Sequence, residues 1–225
     1  LDGLLKHNGP IKDLNFFKKI LKEDIFKKRI NFKTFPSLEA QIASISDDIA
    51  YNNHDLEDGL RANLFSLSDI KTIPFISKII NKHIKKEKFF RREIIISQII
   101  RELINLMVLD VIHTTNNNLK KIKPASIKDV YHNKQFVVDF SNDMKKIVIL
   151  IKNFLKKNMY NHKKVITNTK RGQKIIKDLF MCLSRNPKEH INKDILKKNK
   201  KERAVADFIA GMTDRYAINL HKKIK

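Results

Sequence analysis

Apolar residues recur every three or four positions along most of the chain, and this spacing places them on one face of an α-helix. The helices that it predicts cover residues 11–23, 69–86, 144–157, 161–185 and 204–225. The longest predicted helix, residues 89–115, is apolar on so much of its circumference that we expect it at the centre of a core. We expect Asn116 to Asn118 to end this helix and Pro74 to kink or divide the helix over 69–86. The pattern therefore predicts an all-α fold.

The segment from Ser37 to Arg61 carries two different stripes on one predicted helix. Residues four apart lie almost above one another on a helix. This spacing gives an apolar stripe of Leu38, Ile42, Ile45 and Ile49, and an acidic stripe of Asp47, Tyr51, Asp55 and Asp58. Ser37 is the predicted N-cap and Gly59 the predicted stop. Stacked carboxylates repel unless a cation or a hydrogen-bond donor offsets them. The acidic stripe therefore indicates a bound metal or a hydroxyl-rich ligand, with an ordinary solvated surface as the alternative.

The composition of the chain supports the helical prediction and shows that the chain is strongly basic. Only 5 glycines and 5 prolines among 225 residues leave little material for a turn-rich β fold.

The formal net charge of +23 attracts anions such as nucleotides, nucleic acid or acidic membrane surfaces. The alternative is that the lysines are solvated and only reflect the composition of a biased genome. Charged residues interrupt the longest apolar run, 94–112, so it predicts a buried helix and no membrane span. The single cysteine, Cys182, forms no internal disulfide, which favours a reducing, cytoplasmic setting.

Three segments in order along the chain resemble motifs of one enzyme family. They are LDGLLKHNGP at residues 1–10, SLEAQIASISDDIAYNNHDLEDGL at 37–60 and ADFIAGMTDRYA at 206–217. Together they resemble the HD-domain deoxynucleoside triphosphate triphosphohydrolases, the dGTPase-like family, and QKIIKDLF at 173–180 is similar to a weaker family segment. The resemblance implies a partial HD-type helical bundle. Residues 1–115 would be the C-terminal part of the catalytic domain, and 116–225 a helical region packed on it.

The family hydrolyses a deoxynucleoside triphosphate to the deoxynucleoside and tripolyphosphate, with a divalent metal held by an H…HD…D set. By resemblance, Asp47 matches the last metal-ligating aspartate. Tyr51 and Asp55 match the pair that recognises the sugar, in which the carboxylate accepts a hydrogen bond from the 3′-hydroxyl and the ring leaves no room for a 2′-hydroxyl. His54 precedes Asp55 but does not match the family's HD pair, because that pair comes before the final aspartate.

Two basic residues complete the predicted substrate site. Lys6 matches a family lysine near the substrate phosphates, with a solvated helix end as the alternative. Arg215 lies in GMTDRYA and has the planar, forked donor set that suits a phosphate, with a structural cap or ion pair as the alternative. The resemblance also implies homo-oligomers, because family members commonly form them.

The sequence departs from the family in one respect. It lacks the first histidine and the HD pair, and a metal site normally needs three or more protein ligands. We therefore expect the chain to be an N-terminally truncated piece that is inactive by itself. Two alternatives follow: a non-catalytic HD-like module that binds nucleotides or regulates a partner, and a basic helical protein that binds nucleic acid.

Overall fold

The computed structural model describes residues 2–11, 13, 15, 31–84 and 90–224. These residues form eleven α-helices and no strand, which confirms the all-α prediction. The predicted helix over 11–23 falls largely on residues outside these ranges. Contacts divide the chain into two compact units, Leu1–Met159 and Tyr160–Lys225. The boundary predicted after residue 115 falls inside a helix of the first unit.

The described residues of the first unit form seven helices in chain order. They are α1 (Asp2–Lys6), α2 (Leu38–Arg61), α3 (Leu67–Ile70), α4 (Pro74–Ile84), α5 (Arg92–Ile122), α6 (Ile127–Tyr131) and α7 (Asn142–Leu155). The predicted effect of Pro74 is confirmed, because this residue begins α4 and separates it from α3. Helix α7 ends in a π-helical turn, Lys156–Tyr160.

Helix α5 is the centre of the first unit, as its apolar circumference predicts. It packs against both α2 and α4, and α7 also packs against α2. The most deeply buried core side chains come from all four helices and include Leu56, Leu60, Ile80, Ile95, Leu103 and Ile151. Burial of one such aliphatic side chain contributes about 1.5–3 kcal/mol.

The predicted end of α5 at Asn116 is wrong. The helix continues to Ile122 and ends at Lys123, whose backbone is left-handed (φ 42°). Asparagine usually disfavours a helix interior because its side chain competes for nearby backbone groups. Here the Asn118 side chain instead donates to the Val137 carbonyl at 2.9 Å, so it ties the helix to a neighbouring segment.

Helix α2 begins as predicted and ends differently. Ser37 is the N-cap, and its hydroxyl accepts from the Ala40 amide. The helix continues past Gly59 to Arg61, so the prediction of Gly59 as the stop is wrong. A Cβ at position 59 would lie 2.3 Å from the Phe65 ring, so the glycine is required by close packing.

Two glycine variants test this interpretation of position 59. Gly59→Ala is expected to destabilise the protein by about 1–3 kcal/mol, because the Phe65 ring must move in a packed core. Gly172→Ala is the matched control: that glycine is also inside a helix, and a Cβ there would meet nothing within 4 Å. It is expected to stabilise by about 0.5–1 kcal/mol. Urea unfolding measures both, and a Gly59→Ala variant as stable as the wild type would contradict the packing argument.

The apolar stripe of α2 is only partly covered. Ile49 is buried, but Ile42, which lies on the same stripe, is 51% exposed. Here α2 and α5 form an open apolar groove of about 250 Å³, which Val108 and Ile112 of α5 also line. Along this stripe, Ile49 is therefore buried, Leu38 and Ile45 are half-buried, and Ile42 is exposed.

The second unit contains four helices and a short 3₁₀ turn, Pro187–Glu189. The helices are α8 (Lys163–Arg185), α9 (Lys193–Lys198), α10 (Lys201–Ala210) and α11 (Asp214–Ile224). Helix α8 packs against α10 and α11 around a separate core that includes Leu179, Leu183, Val205, Ile209 and Leu220. The predicted helical segment 204–225 is divided near Gly211 into α10 and α11. None of the helices in the described ranges is long and apolar enough to cross a membrane.

Candidate functional site

The predicted site residues of α2 lie on one face of a continuous helix. Asp47, Tyr51 and Asp55 follow each other at one-turn intervals, on the side opposite the buried Leu56 and Leu60. Asp47 is exposed, Tyr51 is 59% exposed and Asp55 is half-buried. The structure therefore presents a carboxylate, a phenol and a second carboxylate along about 12 Å of one helix face.

A groove of about 590 Å³ runs between α1 and the first half of α2, and Asp47 borders it. Small residues allow the two helices to approach, since a Cβ on Gly3 would lie only 3.2 Å from the Ala40 Cβ. The groove is lined by Gly3, Leu4, His7, Ser37, Glu39, Ala40, Ala43, Ser44 and Asp47. Its volume is in the range of small-ligand sites, about 300–1,000 Å³. The first two family-like segments of the sequence thus meet at one concave surface.

Lys6 lies behind this groove and is buried, with 1% of its surface exposed. Its ammonium group is 2.9 Å from an Asp2 carboxylate oxygen and donates to the Thr34 hydroxyl at 2.9 Å. It also donates to the carbonyls of Asn31 and Phe35 at 3.2 and 3.3 Å. These four acceptors use all three N–H groups. In this structure Lys6 joins α1 to the segment before α2, and its predicted contact with phosphate stays a prediction.

The tautomer of His7 follows from its two neighbours. Its Nδ1 lies 2.8 Å from the Leu4 carbonyl, which can only accept, so Nδ1 carries the proton. Its Nε2 then accepts from the Asn8 side chain at 3.0 Å. The ring therefore lies on the wall of the groove with Nδ1 as a donor and Nε2 as an acceptor.

Acidic neighbours of the stripe are paired on other sides of α2. Asp48 contacts the Lys152 ammonium of α7 at 3.0 Å, so it points away from Asp47. Glu57 accepts from Arg61 at 2.7 Å and from Ser97 at 3.1 Å. The hydrogen bond from Arg61 is the largest cause that lowers the pKa of the Glu57 carboxyl.

The residues present do not by themselves form a metal centre. Within the described ranges, no three His, Cys, Asp or Glu side chains are grouped closely enough to hold a metal ion. A single carboxylate at Asp47 does not hold a divalent cation tightly, because protein sites use three or more ligands. The ligand set that the family implies is therefore incomplete in the described part of the chain.

Three buried amides of α2, at Gln41, Asn52 and Asn53, were not predicted from the sequence. Gln41 is buried; its carboxamide oxygen accepts from the Val137 and Val138 amides at 2.9 and 3.0 Å, and its nitrogen donates to the Pro36 carbonyl. Asn53 is fully buried and donates to the Ile49 carbonyl at 2.7 Å. The sequence could have indicated them, because each amide lies on or beside an apolar stripe of the helix. An amide that is buried there needs a hydrogen-bond partner.

Arg215 lies in the second unit, exposed on the first turn of α11. The neighbouring Tyr216 is 51% exposed and is therefore not a core residue, although an aromatic side chain in this motif would be expected in the core. Thr213 caps the helix by accepting from the Tyr216 amide at 3.3 Å. The predicted phosphate contact of Arg215 stays a prediction.

Comparison with known proteins identifies the family. A phosphohydrolase-associated domain matches residues 138–223. Proteins named deoxyguanosinetriphosphate triphosphohydrolase-like are similar over all of this chain: that of Pelagibacter ubique is 50% identical, that of Bartonella quintana 36% and that of Parvibaculum lavamentivorans 33%. The chain spans 60%, 58% and 59% of these relatives, respectively. With its three ordered motifs and its all-α fold, the chain belongs to the deoxyguanosinetriphosphate triphosphohydrolase-like family of phosphohydrolases.

Proposed function

We propose that this chain is part of an enzyme that hydrolyses deoxynucleoside triphosphates to the deoxynucleoside and tripolyphosphate. The observation that carries the proposal is the single helix face with Asp47, Tyr51 and Asp55. Of these three residues, Asp47 borders a groove of ligand size. The names of the relatives support a phosphohydrolase of this class.

In this proposal, the side chains of α2 select and orient the sugar. The Asp55 carboxylate accepts a hydrogen bond from the 3′-hydroxyl. The Tyr51 ring, which is 59% exposed and therefore available, packs against C2′ of the sugar. A 2′-hydroxyl would collide with this ring, so the site prefers deoxyribose. Rejection by steric conflict of this kind amounts to about 1–3 kcal/mol for one group.

Charge brings the substrate to the site. A formal net charge of +23 creates a field that attracts triphosphates and raises their rate of association. The family also suggests a divalent metal, whose ligand set is incomplete within the described residues. Further ligands have to come from outside this part of the chain, and Asp47 is the residue that we assign to that set.

The proposal is tested by product analysis. The longest protein product that contains this chain is incubated with Mn²⁺ or Mg²⁺ and each dNTP in turn, and the products are separated by ion-exchange chromatography. We expect tripolyphosphate and deoxynucleoside in equal amounts. Release of pyrophosphate or single phosphate instead, or no release from any dNTP, would overturn the proposal.

Tyr51→Ala tests the selection of the sugar. Removing the ring opens space at C2′, so the preference for dNTP over NTP is expected to fall about 10-fold to 100-fold in kcat/KM. Tyr216→Ala is the matched control, because Tyr216 is similarly exposed, at 51%, on a helix of the second unit. An unchanged preference in the Tyr51 variant would remove Tyr51 from the site.

A second candidate is a non-catalytic module that binds nucleotides. The observation that favours it is the incomplete ligand set in the described ranges. Calorimetry distinguishes the two: binding of dNTP without turnover, in the longest product and with metal present, favours the module. Turnover favours the enzyme.

A further inference from the structure

One face of α8 carries a row of four lysines: Lys163, Lys170, Lys174 and Lys177. Each is exposed. At about 100° per residue they fall within an arc of about 60°, and the row extends about 21 Å along the helix axis. Arg185, also exposed, lies on the same side at the end of the helix. We call this surface the basic face of α8.

The basic face has one acidic neighbour, Asp178, which lies one turn after Lys174 and contacts His221 Nε2 at 2.9 Å. Residues 163–177 contain six basic and no acidic side chains. The ion pairs that the structure describes in this unit involve other cations, namely Lys197, Arg203 and His221. Lysines at i,i+3 and i,i+4, such as Lys170 with Lys174, repel each other when no anion lies between them. The helix therefore carries an uncompensated positive charge along several turns.

Packing does not explain why this part of α8 is helical. Every residue in 167–174 is exposed, and a Cβ at Gly172 would meet nothing within 4 Å. A helix that is polar on all sides needs charge pairs or a partner to be stable, and its glycine costs about 1 kcal/mol relative to alanine. A bound polyanion would offset both the repulsion and the weak intrinsic propensity.

We infer that the basic face of α8 binds the phosphate backbone of a nucleic acid. Cations in a straight row match a linear polyanion, whose phosphates recur every few ångströms. Residues 163–177 contain no acidic and no aromatic side chain, so the contact is to the backbone and is independent of base sequence.

A membrane surface fits this face less well. A helix that lies on a bilayer buries an apolar face among the lipids and keeps its cations at the headgroups. Most of the apolar side of α8 is already occupied, because Leu179 and Leu183 are 0% and 2% exposed in the core of their own unit. Ile176 and Met181 are 49% and 50% exposed, but they lie on different sides of the helix and form no continuous apolar face for a bilayer.

The test is a salt titration of binding without metal or dNTP, so its outcome does not depend on the proposed hydrolysis. Fluorescence anisotropy measures the affinity of the full chain for labelled single-stranded and duplex DNA of about 20 nucleotides. Four to five phosphate contacts predict that log K falls with log salt with a slope of about −3 to −5. Hydrogen exchange at 163–177 is expected to slow when DNA is added.

The variant with Lys170→Gln, Lys174→Gln and Lys177→Gln removes three of these contacts. We expect the slope to shrink by about 2 to 3 and the affinity at about 0.1 M salt to fall about 100-fold. The matched control changes Lys193, Lys200 and Lys201 to Gln, which alters the net charge equally at exposed positions off the basic face. An equal loss in the control would show that net charge alone binds DNA and would overturn the inference. Tighter binding to phosphatidylserine vesicles than to DNA, lost in the α8 variant, would also overturn it.

Discussion

Asp47→Asn is expected to lower dNTP hydrolysis by the longest product that contains this chain about 10³-fold or more in kcat/KM. That loss corresponds to about 4 kcal/mol of transition-state stabilisation. The reason is that Asp47 is the carboxylate that the family-like helix presents beside the groove, and the amide removes the charge without changing the shape. Calorimetry with Mn²⁺ is expected to show weaker metal binding in the same variant.

Asp48→Asn is the control for Asp47→Asn. Asp48 is the adjacent residue, but it faces Lys152 in an exposed ion pair. Surface pairs of this kind contribute at most about 1 kcal/mol, so activity and stability are expected to change little. Full activity in the Asp47 variant, or an equal loss in the Asp48 variant, would contradict the assignment.

Lys6→Met is expected to destabilise the first unit by about 2–4 kcal/mol. Methionine has a similar length but no donor, so it leaves the Thr34 hydroxyl and the Asn31 and Phe35 carbonyls without the ammonium group. The Asn31 carbonyl still accepts from the Thr34 hydroxyl at 2.8 Å, so the cost falls mainly on the Thr34 hydroxyl and the Phe35 carbonyl. A buried acceptor that loses its partner costs about 1–3 kcal/mol. Asp2 contributes less to the cost, because its side chain is 33% exposed and water can replace the lysine. Urea unfolding followed by circular dichroism measures the change.

The same variant separates the two roles of Lys6. Lys152→Met, at an exposed lysine, is the control and is expected to change stability by less than about 1 kcal/mol. If Lys6 only contacted phosphate, Lys6→Met would leave the unfolding curve unchanged and raise KM for dNTP. That result would contradict the structural role that the four acceptors indicate.

Local periodicity predicted most of the fold. The 3.6-residue repeat is set by each segment's own sequence, so α2, α5, α7 and α8 were predicted near their observed positions. The errors arise where a contact with a residue outside the helix determines whether the helix ends or continues. The Phe65 ring leaves no room for a side chain at Gly59. Asn118 is tolerated inside α5 because it donates to the carbonyl of Val137, 19 positions away. Neither partner can be inferred from the local pattern.

The face of α2 was predictable for the same reason as the helix, because residues four apart on a helix share a side. The burial of Lys6 was not predictable. Its acceptors at Asn31, Thr34 and Phe35 are 25 to 29 positions away, and only the folded chain brings them to one ammonium group. The basic face of α8 is visible in the sequence as a spacing of lysines, but its full exposure required the structure.

The central claim is that Asp47, Tyr51 and Asp55 share one nucleotide site. Its most direct test is anomalous diffraction from crystals of the longest product that contains this chain, grown with Mn²⁺ and a non-hydrolysable dNTP analogue. The account predicts a manganese peak at coordination distance from the Asp47 carboxylate, about 2–2.5 Å, with the sugar against the Tyr51 ring and its 3′-hydroxyl on Asp55. A peak far from Asp47, or a sugar bound away from this helix face, would contradict it.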